Sequence, residues 1–384
     1  MILSALVLGC SSSTGNRSET VAPVPFVFRR LELEQKKSSG DIDWKLSSPE
    51  ARYEFSRRLV RAKQPIGVLY NRNKPSFKIR ADFAVVINDG DQIILEGDVQ
   101  LQQINGQKIL IKGERLRWQP QLSLLTMEQQ PRAFDERSRI TATVATLQQD
   151  TNDLTLSGPV QLDRWQNKLA LTVKPDTAVR TGKALWNLSD GSLSADGPIL
   201  GQRSDKEGVV LEQLEGRELS GNTMKGVITV KSPVTVTMPK NKGLLRAKDT
   251  IWNFRKQTLS SNDPFEGLID QTQINGESFL AELDQSSVVI TEGCQIQQPG
   301  ERLEARQCRW NWNSDEVLAT GGVRLERESN NQITEAQTLS GSVGDEGSLT
   351  FSAPGNKVRS QLTIEEETKS QDSSPQSAQP PVFF

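Results

Sequence analysis

The chain has 384 residues, of which 46 are basic and 48 are acidic, so its formal net charge at pH 7 is −2. This length accommodates one large or two ordinary domains, and the balanced charge lacks the basic surface that a nucleic-acid-binding protein needs. Because the chain contains no histidine, it lacks the commonest general base and metal ligand. It also lacks nucleotide-binding and nucleophile-elbow motifs, so we expect no catalytic residue, no metal and no cofactor.

The N-terminus begins with a short apolar segment that ends at a cysteine. Residues 2–9 are apolar or small, too few to cross a bilayer, which takes about 20 residues, but typical of a secretory signal. The stretch "VLGC", which closes the predicted signal segment 1–10, resembles a bacterial lipobox. Cys10 is therefore the predicted lipidation site, and an uncleaved N-terminal anchor is the alternative. Residues 11–25, "SSSTGNRSETVAPVP", are predicted to be a flexible linker.

A spaced phrase recurs from about residue 86 onwards. It has an apolar anchor, a second apolar residue about seven positions later and, near twelve positions after the anchor, a Gly or Pro, once an Asp. The matching triplets are Val86, Ile93 and Asp98; Trp118, Leu125 and Pro131; Leu147, Leu154 and Pro159; Trp186, Leu193 and Pro198; Trp252, Leu259 and Pro264; and Trp310, Val317 and Gly322. Leu283 and Ile290 keep the first two positions, and near residues 221 and 342 only the second half remains. The anchors fall about every 30 residues, nine times in all, which predicts a modular array.

Alternating apolar and polar residues predict that each repeat consists of short β-strands. In "CRWNW", Trp310 and Trp312 alternate with polar residues, and in "KILIKGERLRW" the phase changes near Gly113, as at a β-bulge. Turn-forming sequences such as "NDGD" at 88–91 separate the strands. Residues 49–63 fit a helix or a strand and turn equally well. The predicted fold is all-β, an elongated antiparallel β-jellyroll or open sandwich built from about nine 30-residue repeats.

Two cysteines flank a predicted hairpin in the segment "CQIQQPGERLEARQC". Cys294 and Cys308 come roughly opposite each other when this segment folds about its Pro-Gly turn. An exported protein permits a disulfide there, and two buried free thiols are the alternative.

Two segments resemble a known family. "DWKLSSPEA" at 43–51, followed by "IGVLY" at 66–70, resembles the opening of the LptC family, the inner-membrane-anchored periplasmic component of lipopolysaccharide export. "IRADFAVVINDGDQIILEGDVQL" at 79–101 is similar to the unit shared by LptC, LptA and OstA-like domains, with copies at 154–162 and 318–325. The resemblance implies an LptC-like β-jellyroll over 26–165 and additional OstA-like repeats over 166–364, before a disordered tail at 365–384 that is rich in Pro, Ser and Gln.

The resemblance implies lipopolysaccharide transport across the periplasm. The protein would be anchored by its N-terminus at the periplasmic face of the inner membrane and shield acyl chains inside its β-jellyroll. Its implied partners are lipopolysaccharide, the permease components of an inner-membrane ABC transporter, and an LptA-like or outer-membrane OstA-like β-jellyroll that docks by edge-strand augmentation. A structural or adhesive β-repeat protein of the cell envelope, with a filled core, is the alternative.

The implied lipid groove takes its lining from the apolar faces of the predicted strands. The candidate lining residues are Trp44, Leu46, Phe83, Val85, Ile94, Val99, Leu101, Ile109, Ile111, Leu116 and Trp118 in the first jellyroll, and Trp186, Leu188, Trp252, Phe254, Trp310 and Trp312 in the extension. The same residues would form the core of a dry sandwich. The basic residues Arg57, Arg58, Arg61 and Lys63 would either meet lipid phosphates or form a solvated basic face.

Overall fold

The computed structural model describes residues 26–106, 108–342 and 348–363. In these residues the only regular elements are β-strands and single 3-10 turns, and the strands pair antiparallel. The predicted all-β antiparallel fold is thus confirmed, whereas the count of nine repeats stays a prediction. The strands form two units. Unit 1 extends to Pro131 and includes Gln148–Asp150, and unit 2 comprises Arg132–Leu147 and the residues from Thr151 onwards.

Unit 1 is built from antiparallel hairpins. Its strands are β1 (Phe26–Lys36), β2 (Ile42–Glu54), β3 (Leu59–Lys63), β4 (Ile66–Asn71), β5 (Lys74–Arg80), β6 (Phe83–Ile87), β7 (Gln92–Gln103), β8 (Leu110–Gln119) and β9 (Leu124–Met127). Short 3-10 turns at Phe55–Arg57, Asn88–Gly90 and Pro120–Leu122 close three of the hairpins. The "NDGD" sequence therefore lies in a hairpin turn, as predicted, and residues 49–63 form strand, turn and strand rather than a helix.

The long strands of unit 1 belong to two layers. The first half of β7 pairs with β6 and its second half pairs with β5. β2 divides in the same way between β4 and β3. We call the layer that contains β3, β6 and β9 layer A, and the layer that contains β4 and β5 layer B. The two layers share one interior because β2, β7 and β8 pass from one to the other.

The remaining strands repeat this arrangement. They are β10 (Arg132–Phe134), β11 (Ser138–Thr141), β12 (Val144–Gln148), β13 (Asp153–Arg164), β14 (Thr177–Asn187), β15 (Ser192–Ser204), β16 (Val210–Asn222), β17 (Val227–Val230), β18 (Val234–Met238), β19 (Gly243–Ala247), β20 (Thr250–Asn253), β21 (Thr258–Ser261), β22 (Phe265–Ile269), β23 (Thr272–Gly276), β24 (Ser278–Glu282), β25 (Ser287–Glu292), β26 (Cys294–Gln298), β27 (Glu301–Ala305), β28 (Gln307–Asn311), β29 (Glu316–Arg327), β30 (Gln332–Ser342), β31 (Leu349–Ser352) and β32 (Arg359–Gln361). Further 3-10 turns lie at Pro239–Asn241, Leu283–Gln285 and Glu328–Asn330.

Unit 2 also has a layer A and a layer B. The end of β16 pairs with β17 and its beginning with β18, and β29 divides likewise between β28 and β27. Layer A contains β17, β20, β21, β24, β25 and β28, and layer B contains β18, β19, β22, β23, β26 and β27. The layers pack face to face, because the rings of Phe265 in layer B and Phe279 in layer A lie 4.9 Å apart.

The register explains the recurring phrase in physical terms. The anchor and the residue seven positions later face each other across a hairpin. This pairing holds for Val86 and Ile93, Trp118 and Leu125, Trp186 and Leu193, Trp252 and Leu259, and Trp310 and Val317. The third position falls where the strand passes between layers. Asp98, Pro159, Pro198 and Gly322 each lie in a two-residue interruption of the ladder.

Such an interruption is a β-bulge, and it turns the strand from one layer into the other. In unit 1, Gly97 and Asp98 both have positive φ, and they oppose a single residue of β8. A Cβ on Gly97 would lie 2.5 Å from a carboxylate oxygen of Asp82, so a larger residue has no room there. The phase change predicted near Gly113 is real, because Ile111 and Leu116 are both buried on the inner face. The extra residue itself lies on β7.

Candidate functional site

The interior of unit 1 contains most of the predicted lining residues. Eight of them are at most 2% exposed. They are Trp44, Leu46, Val99, Leu101, Ile109, Ile111, Leu116 and Trp118. Trp44 on β2 and Trp118 on β8 meet edge to face, with ring centroids 5.4 Å apart. This contact joins layer B to layer A within the unit.

Three predicted lining residues of unit 1 lie on the opposite face. Phe83 is 56% exposed, and Val85 pairs with Ile94 on the outer side of layer A, where both are half-buried. The inner face is formed instead by residues of the other parity, such as Val86 and Ile93, which are buried. These three residues face outward because "FAVVI" and "QIIL" are apolar at consecutive positions, so alternation alone does not select a face.

The predicted lining residues of unit 2 lie in layer A or directly beside its strands. Trp186, Leu188, Trp252, Phe254 and Trp310 are buried. Trp312 is half-buried and borders an apolar cleft. Trp252 reaches from layer A to layer B, where a Cβ added to Gly201 would lie 2.7 Å from its ring. The indole therefore occupies the space that the missing side chain of this glycine leaves free.

An apolar cleft lies between the layers of unit 2. Its walls include Val236, Met238, Leu245, Phe265, Phe279 and Trp312. The cleft has a volume of about 50 Å³, and a single water molecule needs about 10–15 Å³ on this measure. Apolar cavities of this kind stay dry. The cleft is thus a separable seam between two apolar faces, too small to hold an alkyl chain in this conformation.

Three buried indole groups in the interior lack a hydrogen-bond acceptor. The Nε1 atoms of Trp44, Trp118 and Trp252 have no partner among the described residues. In contrast, Trp186 donates its N–H to the Thr223 hydroxyl at 3.1 Å, and Trp165 donates to the Val173 carbonyl. Because buried Trp N–H groups usually find an acceptor, the three free donors mark places where a polar atom of a ligand would gain a hydrogen bond.

A row of polar side chains crosses the inner face of layer B in unit 2. In register across β11, β13, β14, β15 and β16 stand Ser138, Arg164, Thr177, Arg203 and Glu212. We call this set the polar row. Ser138, Thr177 and Glu212 are buried, and both arginines are half-buried. Charged residues are rarely buried without a partner, so the polar row is the most unusual feature of the interior.

Apolar periodicity does not predict the polar row, although the sequence contains a signal for it. Val160 and Arg164 have the same parity on β13, as do Ile199 and Arg203 on β15, and alternation therefore directs both arginines inward. A pattern of apolar residues with period two does not reveal these arginines, although they keep the same phase as the apolar residues.

The predicted basic cluster near the β2–β3 hairpin is neutralised on the surface. Arg58 pairs with Asp89, Arg57 and Arg61 pair with Glu54, and Lys63 pairs with Glu50. The hydrogen bond from Lys63 lowers the pKa of Glu50 below its usual range. Because each of these cations already has a carboxylate, the arrangement favours the solvated basic face over a phosphate site.

A disulfide joins the two layers near the end of unit 2. Cys294 on β26 and Cys308 on β28 are bonded, with their Cα atoms 5.9 Å apart. The predicted hairpin is present, but it is bent between the layers, and the two cysteines are not opposite each other. Cys294 faces Ala305 within layer B, whereas Cys308 faces Ile290 within layer A. The bridge thus spans the bend of the hairpin.

The predicted signal segment with Cys10, the linker at 11–25 and the tail at 365–384 lie outside the described residues. Within the part of the chain that the structure describes, no helix has the length and apolarity needed to cross a membrane.

A comparison with known proteins identifies the N-terminal segment. The family model described as "Lipopolysaccharide-assembly, LptC-related" matches residues 1–130, which end one residue before the main segment of unit 1 does. No curated protein matches the chain. The matched residues include the buried Trp44 and Trp118 and the bulge at Gly97. On this evidence residues 1–130 of the chain are similar to the LptC-related family, which is described by its part in lipopolysaccharide assembly.

Proposed function

We propose that the chain carries lipopolysaccharide across the periplasm by holding its acyl chains between layer A and layer B. The observation that carries this proposal is the match of residues 1–130 to the LptC-related family. The two-layered interior supports it, because apolar inner faces continue from β13 to β30 in unit 2, beyond the matched segment. The protein supplies an apolar environment and no covalent chemistry.

The energetic need for shielding is large. A C14 acyl chain has about a dozen CH₂ groups, each worth about 0.8 kcal/mol on transfer out of water. One chain in water therefore costs on the order of 10 kcal/mol, and lipopolysaccharide carries several. Many similar shallow sites along a β-jellyroll would allow the lipid to advance without escaping from one deep site.

Loading requires the layers to separate. The candidate lining residues of unit 1 are almost fully buried, and the cleft of unit 2 has only about 50 Å³. An acyl chain must therefore replace contacts between the layers with contacts to itself. Since both kinds of contact are apolar, the exchange costs little beyond the movement. The lipid-free interior would act as a closed seam that opens around its cargo.

Free strand edges provide docking sites for the proposed partners. β1 pairs with β2 along its length, and its other edge has no strand partner in the described residues. In unit 2, β31 and β32 both pair with β30. An unpaired edge offers backbone donors and acceptors to an added strand. We propose that these edges bind the permease components of an inner-membrane ABC transporter and an LptA-like or OstA-like β-jellyroll, with Cys10 or the uncleaved N-terminus as the anchor.

Photocrosslinking in cells tests the proposal. A photoreactive residue replaces Trp118 or, separately, Trp252, both of which are buried on inner faces. The matched controls are Phe83 and Ile251, which lie in the same units but are exposed on outer faces. Lipopolysaccharide adducts at both inner positions and at neither control would support transport through both units. Adducts at Trp118 alone would restrict the lipid path to unit 1.

The near-complete burial of the interior favours one second function, a structural or adhesive envelope protein with a filled core. The same experiment separates the two functions. A well-folded, exported protein that forms no adduct at either inner position would contradict lipid transport and support the structural role.

A further inference from the structure

The two arginines of the polar row have different partners. Arg203 is neutralised by Glu212, with its Nε 2.5 Å from one carboxylate oxygen and one of its terminal nitrogens 2.8 Å from the other. Arg203 also lies 3.4 Å from Asp284 and from the carbonyl of Leu283. Such a two-pronged pairing satisfies the planar guanidinium in both charge and geometry. The charge of Arg203 is therefore paired within the protein.

Arg164 lacks such a partner. It donates one hydrogen bond, to the Ser138 hydroxyl at 3.0 Å, and has no carboxylate within 4.0 Å among the described residues. Burial lowers the pKa of Arg164, Asp135 opposes this shift, and the positive charges of Arg137 and Arg255 add to it. The Oδ1 atom of Asp135 already accepts the backbone N–H groups of Arg137 and Ser138. The guanidinium at Arg164 is therefore a half-buried cation in a positive environment.

The surroundings of Arg164 are aromatic and apolar. Its guanidinium carbon lies 5.8 Å from the ring centroid of Phe254, and that ring lies 4.9 Å from the ring of Trp252. The buried Nε1 of Trp252 has no acceptor among the described residues. The Phe254 ring is thus close to both the Arg164 guanidinium and the Trp252 ring, whose N–H donor is unused.

We propose that Arg164 binds the phosphate group of an amphiphile whose alkyl chain packs on Phe254 and Trp252. A phosphate has several strong acceptor oxygens, so it satisfies a guanidinium and leaves an oxygen for an indole donor. The proposal rests on the proposed lipid-carrying function and specifies where in unit 2 the charged end of the lipid is held. Neither Arg164 nor Trp252 lies in the segment that matches the LptC-related family.

The stability of variants provides the first test. Replacing Arg164 with Met removes an uncompensated half-buried charge, so the R164M protein should unfold at the same temperature as the wild type or higher. R203M should unfold at a lower temperature, because it leaves the buried Glu212 without its partner. A lower unfolding temperature for R164M would mean that Arg164 has a structural partner and would overturn the proposal.

Calorimetric titration with dodecyl phosphate tests binding to the full-length protein. Hydrogen bonds to charged groups are worth about 1.5–3 kcal/mol, so R164M should bind this probe about ten- to a hundredfold more weakly, and R164K should retain part of the affinity. R324M is the matched control, because Arg324 is already paired with Glu326 and Glu335 on the surface. Equal affinity of R164M and the wild type would refute the site. Inorganic phosphate that binds as tightly as dodecyl phosphate would refute the amphiphile.

A crosslink in cells separates this proposal from the proposed function. A photoreactive residue at Trp310 leaves Arg164 and Trp252 intact and reports lipopolysaccharide in unit 2. Weaker adducts in the R164M background than in the R324M background would support both proposals. Unchanged adducts together with unchanged dodecyl phosphate binding would overturn the Arg164 site and leave transport in place. Absent adducts in an otherwise wild-type protein that still binds dodecyl phosphate through Arg164 would keep the site and count against lipopolysaccharide as its ligand.

Discussion

The Cys294–Cys308 bridge should contribute substantially to the stability of unit 2. The two cysteines are 14 positions apart in the sequence. In the chain-entropy treatment, closing a loop of about 15 residues stabilises the folded state by about 3 kcal/mol at 25 °C. For a domain of about 150–250 residues, each kcal/mol changes the melting temperature by about 2–4 °C. Reduction should therefore lower the melting temperature of unit 2 by about 6–12 °C.

The assay is thermal unfolding with and without a reductant that acts on buried disulfides, in a Cys10→Ser background that leaves Cys294 and Cys308 as the remaining cysteines. The C294A/C308A variant is the control, and its melting temperature should not respond to reductant. Titration of thiols in the denatured, unreduced protein should find none. Two free thiols in the protein purified from the periplasm, or equal melting temperatures with and without reductant, would refute the reasoning and support the alternative of two buried thiols.

Three further predictions concern the interior and its faces. Val86→Glu should prevent stable folding of unit 1, because it buries an unpaired charge, whereas Phe83→Glu on the outer face should change the free energy of unfolding by less than about 0.5 kcal/mol. Denaturant titration measures the free energy of unfolding of both variants, and an equal loss of stability in the two would contradict the assigned faces. Gly201→Ala should destabilise unit 2 by about 1–3 kcal/mol, because its Cβ would lie 2.7 Å from the Trp252 ring, and an unchanged denaturation midpoint would show that the ring has room to move. Burial raises the pKa of Asp43 above 3.8, although Lys37 opposes the shift, so the ionised form costs stability above the folded-state pKa. The Asp43→Asn variant should consequently have a higher free energy of unfolding than the wild type at neutral pH but not below pH 3.8. Denaturant titration at both pH values checks this, and a difference in stability that persists in acid would contradict burial of the charge as the cause.

The fold could be predicted because its local rules repeat. The spacing of seven between an anchor and its apolar partner corresponds to two residues opposite each other in a hairpin, as for Trp186 and Leu193. The Gly or Pro near the twelfth position marks the bulge between the layers, as at Pro198. Each rule is weak in one hairpin, but consistent repetition along the chain fixes both strand boundaries and register.

The candidate site could be predicted only in part, because its charged members depend on strand pairing. Alternation directs Arg164 inward but cannot reveal that its neighbours in register are Ser138 and Thr177. Alternation also fails where apolar residues are consecutive, as at Phe83 and Val85. The disulfide shows the same limit, since the sequence predicts a hairpin but not the bend that brings Cys294 and Cys308 together.

The polar row has a consequence for any lipid that moves through unit 2. A uniform apolar interior would bind every segment of an acyl chain equally and would not define where the head group stops. At Arg203 the charge is cancelled by Glu212, so an alkyl chain that passes there meets a neutral, hydrogen-bonded pair. At Arg164 the charge is uncancelled, and the same passing chain gains nothing, whereas a phosphate gains a strong interaction. Two arginines in register on β13 and β15 of the same inner face would thus discriminate between the two ends of an amphiphile. Because Asp284 also pairs with Arg203, a Glu212→Gln, Asp284→Asn double variant should convert Arg203 into a second uncancelled cation, and calorimetry should then find a second dodecyl phosphate site. A single site in this variant, with the protein folded, would show that an uncancelled arginine in this interior is not sufficient to bind phosphate.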